Sequence, residues 1–166
     1  LEPGVGGALV LSGSCSRATL GQVADFLGKG EGFALDPLKL AEGDDHLEAA
    51  LAFARERLRA GAPVLVYASS DPGAERAGEL VESALGHLAV TLVNEGVGRL
   101  VVAGGETSGA VVSALGIRTL RIGDQIDPGV PWTQAADVGG PGPLSLALKS
   151  GNFGGPDFFT RAFEVL

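Results

Sequence analysis

A single cysteine, Cys15, leaves this 166-residue chain without an internal disulfide or a CxxC pair. Neither an oxidised secreted scaffold nor a structural zinc module is supported, and a cytoplasmic setting is expected. Positive charge is also scarce: 12 Lys and Arg stand against 20 Asp and Glu, for a formal net charge of −8. Nucleic-acid backbones are held by clustered cations that release counterions, so DNA and RNA are not expected partners. No apolar run approaches the roughly 18 to 20 residues that span a bilayer, and no basic segment precedes a signal-type core, so no membrane is expected either. Two familiar nucleotide signatures are missing as well. Neither GxxxxGK[ST] nor GxGxxG falls at a strand-to-helix junction, which removes the usual support for a P-loop or a dinucleotide fold.

What remains is a chain with 45% hydrophobic and only 19% charged residues, a composition that buries elements and connects them by short loops. Its length suits one domain with its own core. The start, Leu1-Glu2-Pro3-Gly4, has no initiator Met and runs at once into strand-type sequence, which reads as a piece of a longer chain. Apolar runs alternate between strand-like and helix-like spacing. Gly7 to Leu11 predicts a strand, followed by a helix whose apolar face is Leu20, Val23, Ala24 and Leu27. A short strand at Phe33 to Leu35 precedes a helix over residues 44–60 with Leu47, Leu51, Ala54 and Leu58 on one side. Val64 to Ala68 predicts the next strand, and residues 74–95 one helix or two, with a break near Gly86. Arg99 to Ala103 is a further strand, a short helix runs through Leu115, and Arg118 to Ile122 returns as a strand. The chain is then turn-rich past Trp132, Leu144 to Leu148 is the last apolar run, and a terminal helix covers residues 156–165. Repeated strand-helix units predict a single α/β domain with a mostly parallel sheet and helices on both faces.

Ligands of open parallel sheets sit beyond the carboxyl ends of the strands, where loops meet helix N-termini. Four loops there are small, polar and glycine-bearing: residues 12–16, 69–73, 104–109 and 150–154. In the third, Gly104, Gly105, Glu106, Thr107 and Ser108 suit an anion, because glycines admit a phosphate close to the backbone and a hydroxyl donates or caps. A plain strand-to-helix turn with a solvated Glu106 is the competing reading. In the first, Ser12, Ser14 and Ser16 offer hydroxyls to phosphate or ribose, beside Arg17, while N-capping accounts for one serine. Lys149, Gly151 and Phe153 read either as an adenine or phosphate wall or as an exposed lysine and a core phenylalanine. Asp124 and Asp127 could orient the waters of Mg²⁺ or make turns. His46 and His87 lack a third ligand or a serine partner nearby in sequence, and no metal site is assigned.

Four blocks in order along the chain carry a resemblance. They are Ser12-Gly13-Ser14-Cys15-Ser16, residues 104–112 beginning Gly104-Gly105-Glu106-Thr107-Ser108, residues 126–132 around Asp127-Pro128-Gly129 and Trp132, and residues 146–154 ending Lys149-Ser150-Gly151-Asn152-Phe153-Gly154. Together they resemble the C-terminal nucleotide-binding domain of the four-carbon acid sugar kinases, nearest the 3-oxo-tetronate kinases, with threonate and erythronate kinases as relatives. The resemblance implies a two-domain enzyme in which an N-terminal domain, absent from this chain, supplies most of the acid-sugar site. It implies ATP and Mg²⁺ as cofactors, with Ser14, the loop Gly104 to Ser108 and Gly151 touching ATP, and leaves the catalytic base unassigned. A homo-oligomer is compatible with it. The competing expectation is a non-catalytic module that holds a sugar phosphate or another protein on the same loops.

Overall fold

The computed structural model describes residues 1–69 and 75–166. Seven strands form one sheet: β1 Gly7–Ser12, β2 Gly32–Leu35, β3 Val64–Ala68, β4 Val97–Ala103, β5 Arg121–Asp127, β6 Val130–Ala135 and β7 Leu144–Lys149. Their order is β2-β3-β1-β4-β7-β6-β5. The first five in that order pair in parallel, and β6 and β5 complete the edge as antiparallel neighbours. The helices are α1 Arg17–Lys29, α2 Pro37–Ala41, α3 Asp45–Arg59, α4 Glu75–Asn94, α5 Gly105–Ala114 and α6 Phe158–Arg161, the last continued by a 3₁₀ turn over Ala162–Glu164.

The central strands are apolar on both faces because both faces are covered. Leu9, Leu11, Val64, Val66, Leu100 and Val102 share a core with Leu51 and Ala54 of α3, Leu85 and Leu88 of α4 and Val111 of α5. Their sequence neighbours Val10, Leu65 and Val101 point to the opposite core, with Val23 and Phe26 of α1 and Phe158 and Phe159 at α6. The mostly parallel α/β sheet with helices on both faces is therefore observed. So is its chain logic: α1 leaves β1 on one face toward β2, while α5 leaves β4 on the other.

Several local expectations change. The face of α1 is rotated: Leu20 and Leu27 are exposed, at 51% and 39%, whereas Thr19, Gln22, Val23 and Phe26 are buried. Helix α4 is continuous through Gly86, whose missing Cβ lets α5 pack closely, since a Cβ there would lie 3.3 Å from Ala114 Cβ. The stretch read as turn-rich is the β5–β6 hairpin. Its two-residue turn has Pro128 followed by Gly129 at φ +84°, the sequence and sign that a type II turn requires. Trp132 is a buried strand residue, its Nε1 donating to Ala162 O at 2.9 Å. The strand expected at Arg118 to Ile122 begins at Arg121 and runs to Asp127, and the terminal helix is shorter than expected. Among the described residues, no helix is long and apolar enough to cross a membrane.

Candidate functional site

Strands β1, β4 and β7 lie side by side and end together: Ser12 pairs with Ala103, and Ala103 with Lys149. The ladder continues one residue into the loops, with Gly13 N–H donating to Ala103 O at 3.0 Å and Gly104 N–H to Lys149 O at 2.9 Å. Connections from β1 and β4 depart to opposite faces and in opposite directions along the sheet. That makes this edge the topological switch point, where a parallel α/β sheet opens a crevice. Three of the four loops singled out from sequence, residues 13–16, 104–109 and 150–154, meet there. Of the fourth, residues 70–73 lie outside the described residues, and Ser69 only extends the sheet, its amide donating to Leu35 O.

Glycine makes room at each loop. A Cβ on Gly13 would fall 1.9 Å from Thr107 Oγ1, and one on Gly151 would fall 2.6 Å from Ser14 Oγ and 2.9 Å from Ser16 Oγ. Gly104 has φ +118°, and a Cβ there would lie 3.3 Å from the Ser14 amide nitrogen. Gly104 is also the N-cap of α5, with no side chain capping that helix. The first-turn amides of Gly105, Glu106 and Thr107 thus open a ten-residue helix uncapped, the arrangement that attracts anions.

The serines divide. Ser12 is the last residue of β1, 1% exposed, with no described partner for its Oγ. Ser14 Oγ accepts from the Ser16 amide at 3.2 Å. Ser16 is the N-cap of α1, accepting from Thr19 N–H at 3.3 Å, and its hydroxyl also donates to Gly151 O at 2.6 Å. Thr19 Oγ1 donates to the same carbonyl at 2.8 Å. One turn further, Gln22 Nε2 reaches the carbonyls of Phe153, Gly154 and Gly155 at 3.0 to 3.1 Å. Thus Ser16, Thr19 and Gln22, three residues apart on one face of α1, hold the loop after β7. Thr19 and Gln22 went unnoticed in the sequence. The available signal is a polar side chain at every third position, Ser16, Thr19 and Gln22.

Lys149 is neither exposed nor an open wall. It is 1% exposed, its Nζ donating to Thr19 Oγ1, Gly151 O and Ser150 O at 3.1 to 3.2 Å. Burial pushes its ammonium down to about 8. Phe153 is not a core residue: it is 46% exposed and lies over Gly129, where a Cβ would come within 2.8 Å of its ring.

On the α4 and α5 side, Gly13, Cys15, Ser16, Val81, Glu82 and Glu106 line a cleft of about 430 Å³. Burial, a hydrogen bond that protonated Glu82 donates to Glu106, and the charges of Glu106 and Glu79 all push the Glu82 carboxyl up from its ordinary value. Like charges this close disfavour a second ionised carboxylate. Glu82 carried no sequence signal because it falls mid-helix, about three turns from any loop motif. Thr107 is 2% exposed beside Gly13, and Ser108 Oγ is buried with no described partner. Arg17 and Asp124 are exposed. Asp127 pairs with Arg161 and accepts from Gly155 N–H, so it is committed to structure. His46 is too: its Nε2 accepts from the Asp36 amide at 2.9 Å. Among the described residues, no three His, Cys, Asp or Glu side chains cluster as a metal site.

With this geometry in place, known proteins bear directly on the chain. The family model described as the nucleotide-binding C-terminal domain matches residues 9–159. A 3-oxo-tetronate kinase of Cupriavidus necator is 55% identical over 172 residues, covering 97% of this chain and 38% of that protein. A crystal structure of a Haemophilus influenzae protein has a TM-score of 0.89 at 36% identity, covering 99% of this chain and 41% of that one. Another, a Bordetella bronchiseptica protein with bound citrate in a domain-swapped dimer, has a TM-score of 0.75 at 27% identity, covering 96% and 40%. The chain spans about two-fifths of the length of the relatives it matches. It belongs to the nucleotide-binding C-terminal domain family, as the resemblance to four-carbon acid sugar kinases predicts.

Proposed function

We propose that this chain is the ATP-binding domain of a kinase that moves the γ-phosphoryl of ATP to a hydroxyl of a four-carbon acid sugar, of the 3-oxo-tetronate type. The observation that carries this reading is the meeting of three loops at one sheet edge, with glycine in each where a Cβ would crowd a neighbouring loop or the backbone turns to positive φ, at Gly13, Gly104 and Gly151. A backbone cleared of side chains beside an uncapped helix start is what a polyphosphate needs. The whole kinase would be a two-domain cytoplasmic protein, with the acid-sugar site mostly in the other domain, and a homo-oligomer is compatible with it. The Cupriavidus relative's name supports the substrate class.

The residues divide the work. Amides of Gly105, Glu106 and Thr107 would cradle phosphate oxygens, and Ser14 would add a hydroxyl donor. Gly151 would let the chain lie against the nucleotide. Phosphoryl transfer is catalysed mainly by positioning and by offsetting charge on the moving group, so a rigid frame of this kind is a large part of the catalyst. Glu82 and Glu106 both line the cleft and would suit Mg²⁺, which commonly takes one or two carboxylates plus phosphates. When bound, it would supply charge neutralisation. The base that activates the sugar hydroxyl is not assigned to this chain.

Calorimetry of the chain with Mg·ATP tests the reading. Binding in the micromolar to millimolar range is expected, and no heat at millimolar nucleotide sinks it. Thermal-shift profiling adds the competing outcome: stabilisation by sugar phosphates but not by ATP or ADP favours a non-catalytic module. Glu82→Gln is expected to leave nucleotide binding without metal intact and to weaken the gain that Mg²⁺ gives. An unchanged Mg²⁺ effect removes Glu82 from the cation site.

A further inference from the structure

Lys149 presents a physical problem that the proposed function leaves unsolved. Its three ammonium protons meet three oxygens, Thr19 Oγ1 and the carbonyls of Ser150 and Gly151, so its hydrogen bonding is complete. Its charge is not: none of the described ion pairs includes it. Burying a cation without a counter-charge is costly, and a loop that only needed fastening is already fastened by Ser16, Thr19 and Gln22. An uncompensated cation directly under an anion-binding loop is explained if the missing counter-charge is the ligand.

Resting on the nucleotide reading above, we propose that Lys149 is a positioning residue for the nucleotide phosphates, acting through the Gly151–Asn152 peptide. Lys149, Ser16 and Thr19 all converge on the Gly151 carbonyl. In a trans peptide the next N–H points opposite to that carbonyl, so this grip turns the Asn152 amide away from α1. Asn152 is exposed, and its N–H has no partner among the described hydrogen bonds. The buried ammonium thus acts twice. It orients an outward donor, and its field, little screened by solvent, favours negative charge at the same place.

Phosphate bound nearby favours protonated Lys149, and by linkage protonated Lys149 favours phosphate. Affinity is therefore constant below the free-state value, about 8, and falls as pH rises through it. Other titratable or charged groups on the elements around Lys149 are Arg17, Asp25 and Lys29 of α1, Tyr67 of β3, Arg99 of β4, Glu106 of α5, Cys15 in the β1 loop, and Asp157, Arg161 and Glu164 at α6 and its 3₁₀ turn. Asp25 pairs with Lys29 and Asp157 with Arg161. Of these groups, Cys15 has the ordinary thiol value closest to this window, so it needs its own control.

The test is calorimetry of the chain with Mg·ADP from about pH 6.5 to 9.5, in the wild type, Lys149→Met and Cys15→Ser, with thermal unfolding alongside. The expected result is a wild-type affinity that drops about threefold to tenfold between pH 7.5 and 9.5. Lys149→Met should bind about tenfold more weakly at pH 7 with a flat profile, and Cys15→Ser should keep the wild-type profile. A folded Lys149→Met with wild-type affinity, or with the wild-type pH profile, overturns the proposal while leaving the nucleotide reading intact. A wild type that binds no ADP overturns both. If Lys149→Met does not fold, the wild-type profile decides: a flat curve, or a slope that Cys15→Ser abolishes, overturns the assignment. In ¹⁵N-labelled wild type the Asn152 amide should shift on adding ADP, and an unmoved resonance also counts against it.

Discussion

The two ends of the sheet are built on different principles. The central parallel strands β3, β1, β4 and β7 are buried on both faces and carry the three loops of the candidate site, whereas the β5–β6 hairpin, whose outer strand β5 is an exposed antiparallel edge, lines none of the cleft. Strand β5 shows how far they differ: of its seven residues only Ile126 is buried, and Ile122 is 77% exposed. Yet the hairpin is tied into the fold. Trp132 reaches Ala162 O, and Arg161 joins Asp127 and the Ile126 carbonyl, fixing the C-terminal turn over the α1 face. The proposed binding site thus gathers at the glycine loops, and the hairpin is placed to contribute stability. A variant at one end should move one property and spare the other.

The largest effect is expected at Gly13. Its Cβ in Gly13→Ala would overlap Thr107 Oγ1, a buried side chain of α5 facing the β1 loop. Overpacking of this kind costs about 1 to 3 kcal/mol, and any relief moves the two loops apart. Urea unfolding should show the loss, and calorimetry should show Mg·ATP affinity reduced tenfold or more. Wild-type affinity in a destabilised Gly13→Ala would mean that the loops need not touch.

At the other end, Trp132→Phe should lose about 2 kcal/mol by leaving the Ala162 carbonyl unpaired and opening a small void. Nucleotide affinity should stay within about twofold. A large drop in affinity would dissolve the division between the two ends, because it would show that the hairpin's hold on the C-terminal turn reaches the loop after β7.

The same division governs what could be read from the sequence. Parallel strands buried on both sides announce themselves as continuous apolar runs, and the glycine loops follow them at once, so β1, β3 and β4 and three of the site loops were legible. The hairpin was not, because an edge strand such as Arg121-Ile122-Gly123-Asp124-Gln125 is mostly polar and Pro128-Gly129 dominates the pattern. The face of α1 was misread for a related reason: Thr19 and Gln22 are buried because they serve the backbone of residues 151–155, and polar burial leaves no hydrophobic trace. Lys149 and Glu82 belong to the same class. Their surroundings come from strands and helices distant in sequence, and only the fold brings these together. The link from glycine loops to ATP rested on the family resemblance, since a strand-to-helix turn alone has a purely structural explanation.

Ser16 sits on the boundary between the two properties. Ser16→Ala removes the N-cap of α1 and one of three donors to Gly151 O, worth about 1 kcal/mol for the cap. Because Thr19 and Lys149 still hold that carbonyl, affinity should fall only severalfold, less than for Gly13→Ala. An affinity loss as large as that of Gly13→Ala would make the serine hydroxyl itself a ligand for phosphate.

The smallest effect belongs to Asp127, and its sign is set by pH. Burial pushes this carboxyl up, but the Arg161 hydrogen bond, the Gly155 amide and the Arg161 charge outweigh it and hold the group below its ordinary value. A carboxyl depressed in the folded state stabilises the protein above its unfolded value, about 4, and that contribution is lost as pH falls through the folded value. Arg161 is partly exposed, so screening keeps the pair below about 1 kcal/mol. Asp127→Asn should therefore lower stability slightly at pH 7, and wild type and variant should converge below about pH 4. Affinity for Mg·ATP should change little, since Asp127 reaches only the Gly155 amide, just past the glycine loop. A loss that persisted at acid pH would assign the effect to packing, and a loss of Mg²⁺-dependent binding would return Asp127 to the site and end the division between the two edges.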